Sequence, residues 1–417
     1  MATVAVIGTC DTKLDELLYL RERVEDNPSA STILIDVGWK ATEHDAITIS
    51  QAQLISKHGS GQDLSSLDRG KFIEFISKCA AKEVQQLYES GSIHAVVSAG
   101  GSGGTSLVSS IMRDVLPIGF PKLIVSTIAS GDTEPIMGET DITLMYSVVD
   151  VAGLNHVLKN ILGNAGAAIG AAAVSYASRR KNAAEDSDPS RKKRVGITMF
   201  GVTTPGVDAI RSYLEKNYPI ETYVFHATGR GGKAMERLIR EGTLDGVIDL
   251  TTTEIADLVV GGVFAASEDR LEAAINAGIP NIVSLGATDM VNFGARSTLP
   301  AEFKDRNIVE HNPIVTLVRT SPDDCKKIGE FIAGKLKQTK KPEMTQLWIP
   351  KGGISMIAVP GKPFADAEAD KALFEAVRSG IDGSGVKIVE DDRDVNDEGL
   401  AKDIAEALVE KLGLPKA

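Results

Sequence analysis

The chain has 417 residues, 43% of them hydrophobic, and this length favours two or three domains with a sizeable core. The 57 acidic residues outnumber the 45 basic ones, giving a net charge of -12, so no broad attraction to nucleic acid or to an anionic membrane is expected. The three widely spaced cysteines, Cys10, Cys79 and Cys325, match neither a disulfide framework nor a zinc site, and no signal-peptide pattern opens the chain, so we predict a cytoplasmic protein.

Short β-branched runs alternate with helical patterns in the first part of the chain, which is typical of a mainly parallel sheet with helices on both faces. Residues 165–177 are rich in alanine and glycine but fall short of the roughly 20 residues that a membrane helix needs. They predict a buried helix that allows close packing. The other predicted elements are strands at 4–7, 32–37, 94–98 and 122–127 and helices at 14–24 and 72–88.

A polar, charged stretch at residues 179–194 contains almost no apolar residue, as expected of a linker. It separates a first lobe, 1–178, from a second, 195–417. The second lobe repeats the alternation, so we predict an α/β fold of two Rossmann-like lobes, each a mainly parallel, doubly wound sheet. Its predicted strands are at 195–199, 222–226, 246–250, 281–285, 346–349 and 386–389, and its predicted helices at 207–216, 234–240, 328–336, 373–377 and 397–412.

The strongest functional motif is a four-glycine loop between the strand at 94–98 and a helical start. Glycines let backbone N–H groups approach an oxyanion, and a helix N-terminus carries free N–H groups and a partial positive charge. The lysine of a P-loop is missing, which excludes ordinary P-loop chemistry. We expect nucleotide phosphates here, with a structural turn as the alternative. The loop consists of Gly100, Gly101, Ser102, Gly103, Gly104, Thr105 and Ser106.

Other polar loops also follow predicted strands, where open parallel sheets bind their ligands. Two lie in the first lobe and one opens the second, and we expect them to meet near the cleft between the lobes. Helix capping by Asp11, Thr12 or Thr204 is the alternative. The nucleotide-binding residues expected from these loops are Thr9, Asp11, Thr12, Ser130, Gly131, Gly201, Thr203 and Thr204.

Three residues at strand ends are candidates for acid–base catalysis. Asp11 can bind a ribose hydroxyl or, through water, Mg²⁺, His226 exchanges protons near neutral pH, and Asp249 can act as a base if its pKa is raised. Structural roles for all three are the alternative. Residues 229–232 add three glycines beside two basic residues, a second candidate anion site. No spacing predicts a metal site.

Two apolar, glycine-containing runs, at residues 259–264 and 290–294, predict self-association. A homodimer is the commonest outcome for such a chain. Burial of both runs within their own domain is the alternative.

Long motifs occur along nearly the whole chain, at residues 8–17, 100–106, 198–205, 224–229, 248–254, 259–263 and 289–294. Together they resemble an uncharacterised family of bacteria, fungi and plants, whose plant member is the tomato tobamovirus-resistance protein. The resemblance implies an ATP-binding domain of two Rossmann-like lobes, similar to the inhibitory N-terminal domain of that plant protein. The implied cofactor is ATP, alone or with Mg²⁺.

Two functions are compatible with these observations. The first is a nucleotide-dependent enzyme of small-molecule metabolism, with ATP phosphates on residues 100–106 and an unidentified small-molecule substrate near the second lobe. The second is a nucleotide-regulated protein-binding module without turnover, like the domain of the plant relative that inhibits viral replication. The many polar residues at strand ends favour the enzyme.

Overall fold

The computed structural model describes residues 1–62, 67–181 and 191–415. The chain divides into two compact units, Met1–Asp188 and Pro189–Ala417. Each has an α/β fold on a parallel sheet, so the predicted fold class is confirmed. Most of the predicted linker lies outside the described residues. Its two ends belong to regular structure, because a helix continues to Lys181 and a strand begins at Lys193.

The first unit has one five-stranded sheet. Its strands are β1 (Ala2–Gly8), β2 (Ala30–Asp36), β3 (Ala95–Gly100), β4 (Lys122–Ser126) and β5 (Thr143–Tyr146). They are ordered β2-β1-β3-β4-β5 and all neighbours pair in parallel. The helices are α1 (Cys10–Glu25), α2 (Gln51–His58), α3 (Arg69–Glu89), α4 (Ser102–Val115), α5 (Glu134–Met137) and α6 (His156–Lys181).

Successive residues of β1 supply the cores on opposite faces of this sheet. Ala5 and Ile7 belong to the core beneath α2, α3 and α4, whereas Val4 and Val6 belong to the core beneath α1 and α6. A strand covered on both faces needs apolar side chains at every position. This is why residues 4–7 form a continuous apolar run.

Helix α6 packs closely on α1 through its small residues. A Cβ atom added at Gly166 would lie 2.6 Å from the Cβ of Arg23, and one at Gly170 would lie 3.3 Å from the carbonyl oxygen of Val24. The predicted helix and its close packing are therefore confirmed, although the helix is longer than expected and is only partly buried. Within the described residues, its His156–Arg180 segment is also the one helix long and apolar enough to cross a membrane. Its buried residues Leu158, Leu162, Ala165, Ile169 and Ala173 belong to the core of the first unit.

The second unit repeats this architecture with more strands. The elements are β6 (Lys193–Met199), α7 (Thr204–Asn217), β7 (Ile220–His226), α8 (Gly231–Arg240), β8 (Gly246–Thr251), α9 (Thr253–Val260), α10 (Glu272–Ala277), β9 (Asn281–Gly286), β10 (Met290–Phe293), β11 (Ile308–Asn312), β12 (Val315–Arg319), α11 (Pro322–Leu336), β13 (Thr345–Pro350), α12 (Ala367–Ile381), β14 (Lys387–Asp391) and α13 (Glu398–Leu412). The main sheet is parallel and ordered β14-β13-β9-β8-β6-β7, and a small antiparallel sheet is ordered β10-β12-β11.

The last helix of the second unit packs against its first helix. The Tyr218 hydroxyl donates to Glu406 Oε2 at 2.6 Å, and the Gly206 N–H donates to Asn396 Oδ1 at 3.1 Å.

The run predicted at 290–294 is mostly the buried strand β10, whose four residues are all buried. This run therefore belongs to the core of its own unit, as the alternative predicted, and does not support self-association.

Two glycines of α6 predict opposite effects of the same substitution. Gly166→Ala should lower the free energy of unfolding by about 1–3 kcal/mol, because its methyl group overlaps Arg23. Gly163→Ala should raise it by about 0.5–1 kcal/mol, because a Cβ atom there meets nothing within 4 Å and alanine favours a helix. Urea denaturation of the two variants measures both changes. Equal effects at the two positions would contradict the close packing of α6 on α1.

Candidate functional site

Three loops of the first unit leave the sheet at one edge. β1, β3 and β4 are parallel and adjacent, and neighbouring strands lie about 4.8 Å apart. The loops that contain Thr9 to Thr12, the four glycines, and Ser130 with Gly131 therefore begin within about 10 Å of one another. The chain leaves β1 and β3 in opposite directions, and this switch point is where open α/β sheets bind ligands.

Two glycines at the start of α4, Gly103 and Gly104, have no structural explanation among the described residues. Gly101 occupies the cap position and no side chain caps the helix. A Cβ atom at Gly103 or at Gly104 would meet nothing within 4 Å, and neither residue has a positive φ. Glycine in a helix costs up to about 1 kcal/mol relative to alanine. Open space above free N–H groups is what a bound anion requires.

Other glycines of the same edge are explained by packing. A Cβ atom at Gly8 would lie 2.6 Å from Leu17 Cδ1, and one at Gly38 would lie 2.6 Å from Asp11 Oδ1. The contrast separates glycines that the fold needs from Gly103 and Gly104. Within the motif, Ser102 and Ser106 are exposed. Thr105 is buried and its hydroxyl bonds the Ser126 hydroxyl at 2.7 Å, so its expected nucleotide contact stays a prediction.

Asp11 and Asp36 hold the loop after β2 against the start of α1. Asp11 Oδ2 accepts the Lys40 N–H at 3.1 Å, so Asp11 anchors a loop and does not cap its own helix. Asp36 Oδ1 accepts the N–H groups of Cys10 at 3.0 Å and Gly38 at 2.9 Å. Burial raises the pKa of Asp36, and burial together with the Asp36 charge raises the pKa of the Cys10 thiol. The Thr9 and Thr12 hydroxyls bond each other at 3.1 Å.

Trp39 is presented on this anchored loop. Its side chain is 40% exposed, and the edge of its ring packs on Phe72 with centroids 4.8 Å apart. The Gln51 amide donates to the Gly38 carbonyl at 2.6 Å and to the Trp39 carbonyl at 3.2 Å. The other tryptophan, Trp348, is only 7% exposed. Trp39 is therefore a natural fluorescent reporter for this edge, and the sequence analysis missed it.

In the second unit, Asp249 belongs to a buried ion network around Arg270. The guanidinium donates to both carboxylate oxygens of Asp249, at 2.5 and 2.7 Å, and the Thr198 hydroxyl donates to the same carboxylate. Glu254 and Glu236 lie 3.1 and 3.3 Å from Arg270, which is fully buried. Although burial alone lowers the pKa of Arg270, these carboxylates raise it overall. Both carboxylate oxygens of Asp249 are thus engaged by Arg270, and its acid–base role stays a prediction.

The second candidate anion site contains an internal anion. Glu254 Oε1 accepts the N–H groups of Gly229 at 2.7 Å and Gly232 at 3.1 Å. A Cβ atom at Gly232 would lie 2.0 Å from Glu254 Oε2. The glycines of residues 229–232 do surround a negative charge, as their type indicates, but the charge is a carboxylate of the same unit. No space for an external phosphate remains at those N–H groups.

The loop after β6 carries the three expected second-lobe residues. Gly201 is exposed, and a Cβ atom there would meet nothing within 4 Å. Thr203 is fully buried, and its hydroxyl bonds Thr251 at 2.8 Å and the Phe200 carbonyl at 3.1 Å. Thr204 is the first residue of α7, so the cap position is Thr203 and not Thr204. The Thr204 hydroxyl donates to the Phe200 carbonyl at 3.2 Å. Of the three, Gly201 alone faces open space.

A cavity of about 360 Å³ lies beside Gly201 and His226. His226 is exposed at the end of β7, and its ring is stacked on Phe200 with centroids 5.6 Å apart. The sequence analysis proposed His226 for proton exchange but missed the aromatic side chains around it. The cavity is lined by Phe200, Gly201, Val202, His226, Thr228, Phe264, His311, Asn312, Val315 and Leu317.

Both units match described protein domains. Residues 2–178 match the N-terminal domain, and residues 192–412 the C-terminal domain, of the uncharacterised protein family UPF0261. A UPF0261 protein of Clostridium tetani is 44% identical over 97% of this chain and 98% of its own length. The ToMV resistance protein Tm-1(GCR237) of Solanum lycopersicum is 42% identical over 89% of this chain. The match covers only 50% of the tomato protein.

Solved structures show only a distant likeness. UDP-GlcNAc 2-epimerase from Neisseria meningitidis, bound to UDP-GlcNAc, matches 98% of this chain and 100% of its own at 11% identity, with a TM-score of 0.19. An UDP-N-acetylglucosamine 2-epimerase from Rickettsia bellii matches at 10% identity, over 99% of this chain and 96% of its own, with a TM-score of 0.22. Similarity of this size carries no argument about function.

Removal of the Arg270 guanidinium, the positive charge at the centre of the buried network, should destabilise the second unit strongly. Arg270→Met leaves the carboxylates of Asp249, Glu254 and Glu236 buried without their shared partner, which typically costs about 3–5 kcal/mol. Arg378→Met, which removes a half-exposed pair with Glu390, should cost less than about 1 kcal/mol. Chemical denaturation followed by circular dichroism measures both. A loss at Arg270 no larger than that at Arg378 would contradict the central role of the network.

Proposed function

The chain belongs to the uncharacterised protein family UPF0261, and from that premise we propose that its first unit binds the phosphates of ATP on residues 100–106. The observation that carries the proposal is the open space above Gly103 and Gly104 at the start of α4. Neither the backbone conformation nor internal packing accounts for these glycines. An anion close to the N–H groups of the first helical turn does account for them.

The surrounding groups support a nucleotide rather than a free phosphate. Ser102, Ser106, Ser130 and Gly131 are exposed on the same edge of the sheet, and their hydroxyl and backbone groups are suited to phosphate and ribose oxygens. The chain carries a net charge of -12, so a polyanion would not be attracted from a distance. Its binding depends on this local, preorganised site.

The acidic residues beside the loop fit a magnesium ion carried by the nucleotide. Asp11 Oδ1 and Asp36 Oδ2 are buried carboxylate oxygens without a hydrogen-bond partner among the described residues. Oxygen ligands and retained waters are what Mg²⁺ prefers. Asp11 would hold the ion through water, and the ion would supply neutralising charge at the phosphates. Within the described part of the chain, no group of three metal-ligating side chains occurs, so a metal site built from protein ligands alone is not proposed.

We favour a nucleotide-dependent enzyme over a binding module without turnover. The second unit offers a cavity with an exposed imidazole, His226, suited to proton transfer to a small-molecule substrate. The expected approach of Gly201 to the first-unit loops, near a cleft, remains a prediction. A cytoplasmic location and self-association are also predictions; the three free, buried cysteines are consistent with a reducing compartment.

Replacement of Gly103 tests the phosphate site directly. Gly103→Val should keep the fold, since a Cβ atom meets nothing there, and should weaken ATP binding by roughly 10-fold or more, the value of one charge-assisted hydrogen bond. Isothermal titration calorimetry with Mg-ATP, supported by Trp39 fluorescence, measures the affinity. Gly163→Val in α6, where a Cβ atom also meets nothing within 4 Å, is the matched control. Equal affinity of Gly103→Val and the parent protein would end the proposal.

Turnover separates the two functions. Purified protein with Mg-ATP and a panel of small acids and amines should consume ATP, and His226→Gln should abolish the consumption without lowering the melting temperature, because the exposed ring contributes little to the core. Asp249→Asn should instead lower the melting temperature, because it weakens the Arg270 network. Binding of ATP without turnover across the panel would favour the protein-binding module.

A further inference from the structure

The cavity beside His226 in the second unit is lined by apolar residues and by two histidines. Phe200, Val202, Phe264, Val315 and Leu317 form an apolar wall, and the exposed lining surface is mostly apolar. His226 and His311 are the only ionisable residues in the lining, and no described lining residue is acidic. The chain as a whole carries a net charge of -12, so the absence of a carboxylate from this lining leaves room for an anionic group.

The aromatic walls are held in place by the backbone. The Phe264 N–H donates to the buried carboxylate of Asp257 at 2.8 Å, and the Phe200 N–H donates to the Thr203 hydroxyl at 3.0 Å. The Phe200 and Phe264 rings lie 6.3 Å apart and meet edge to face, while His226 is stacked on Phe200. Rigid aromatic side chains of this kind lose little entropy when a ring stacks on them.

The size of the cavity limits its ligand. A volume of about 360 Å³ is at the lower end of the range for small-molecule pockets. An apolar lining that includes a few polar residues suits a compact molecule that has an apolar body and one polar end. The imidazoles favour a negative charge at that end, because an N–H group forms a stronger hydrogen bond to a carboxylate than to a neutral acceptor.

We propose that this cavity binds a small aromatic carboxylic acid, with the ring against Phe200 and Phe264 and the carboxylate at His226 and His311. Only one part of this proposal rests on the proposed function, namely that the acid is the organic substrate of the enzyme. The binding site itself is built from residues of the second unit. It can therefore be tested without a nucleotide.

The test measures 2-naphthoate binding to the full chain in the absence of ATP, with 2-naphthalenemethanol as the uncharged counterpart. The parent protein should bind the acid at least about 10-fold more tightly than the alcohol, as expected for a hydrogen bond to a charged group. His226→Gln and His311→Gln should each weaken binding of the acid and leave that of the alcohol within about two-fold. Titration calorimetry gives the dissociation constants.

Filling the cavity provides a second measurement. Gly201→Phe introduces a ring where a Cβ atom meets nothing within 4 Å, so the fold should be kept and binding of both compounds should be lost. Gly334→Phe in α11, where a Cβ atom also meets nothing within 4 Å, should bind like the parent. Absence of 2-naphthoate binding, equal affinity for acid and alcohol, or unchanged binding by Gly201→Phe would each overturn the proposal. Failure of ATP binding would leave these outcomes unaffected.

Discussion

Parallel strands that lie side by side leave their sheet at the same edge, and this constraint determines where chemistry can occur in both units. β1 and β3 in the first unit, and β6 and β8 in the second, are neighbours from which the chain departs in opposite directions. The loops after them diverge and create a crevice. α1, α4 and α7 begin at these edges, so the positive ends of their dipoles point there as well.

The positive ends of these helices and of α8 have different partners in the two units, although α1 of the first unit also has an internal acceptor, because Asp36 accepts the Cys10 N–H. In the second, Glu254 accepts the N–H groups before and within the first turn of α8, and Asn396 accepts the Gly206 N–H in α7. An internal acceptor of this kind fixes the local structure and leaves no site for an external anion. In the first unit, α4 begins with glycines and without a side-chain cap. This difference explains why two similar glycine-rich sequences are expected to differ in their binding of an external anion.

Local patterns predicted most of the fold. All the strands and helices expected from periodicity are present, because the hydrophobic period and the turn residues act within a few neighbouring positions. The short strands β5, β10, β11 and β12 were missed, since four or five residues give a weak period, and so were the short helices α2, α5, α9 and α10. Contacts between distant residues could not be predicted either. Arg270 meets partners 16, 21 and 34 residues away, and Asp11 meets Lys40 across 29 residues.

The residues of the candidate site also fall into two groups, those that local patterns predict and those that depend on contacts between distant residues. The glycine loop was recognisable because strand, loop and helix start are contiguous. The internal pairing of Thr105, Thr203 and Asp249 depends on residues that are distant in the sequence, so their side chains seemed available for ligands in the sequence alone. The cavity beside His226 combines residues from four separate segments of the second unit, and no spacing in the sequence indicates it.

The packing of a last helix on a first helix has a consequence for synthesis on the ribosome. The first unit can bury the α1 surface only after α6 has been made, and the second can bury α7 only after α13 has emerged. The second unit therefore stays incomplete until residues 398–412 have been translated. At about 5–20 residues per second, the apolar surface of α7 stays exposed for roughly ten seconds or more before α13 covers it. During that period this half of the nascent chain has its greatest need of chaperones.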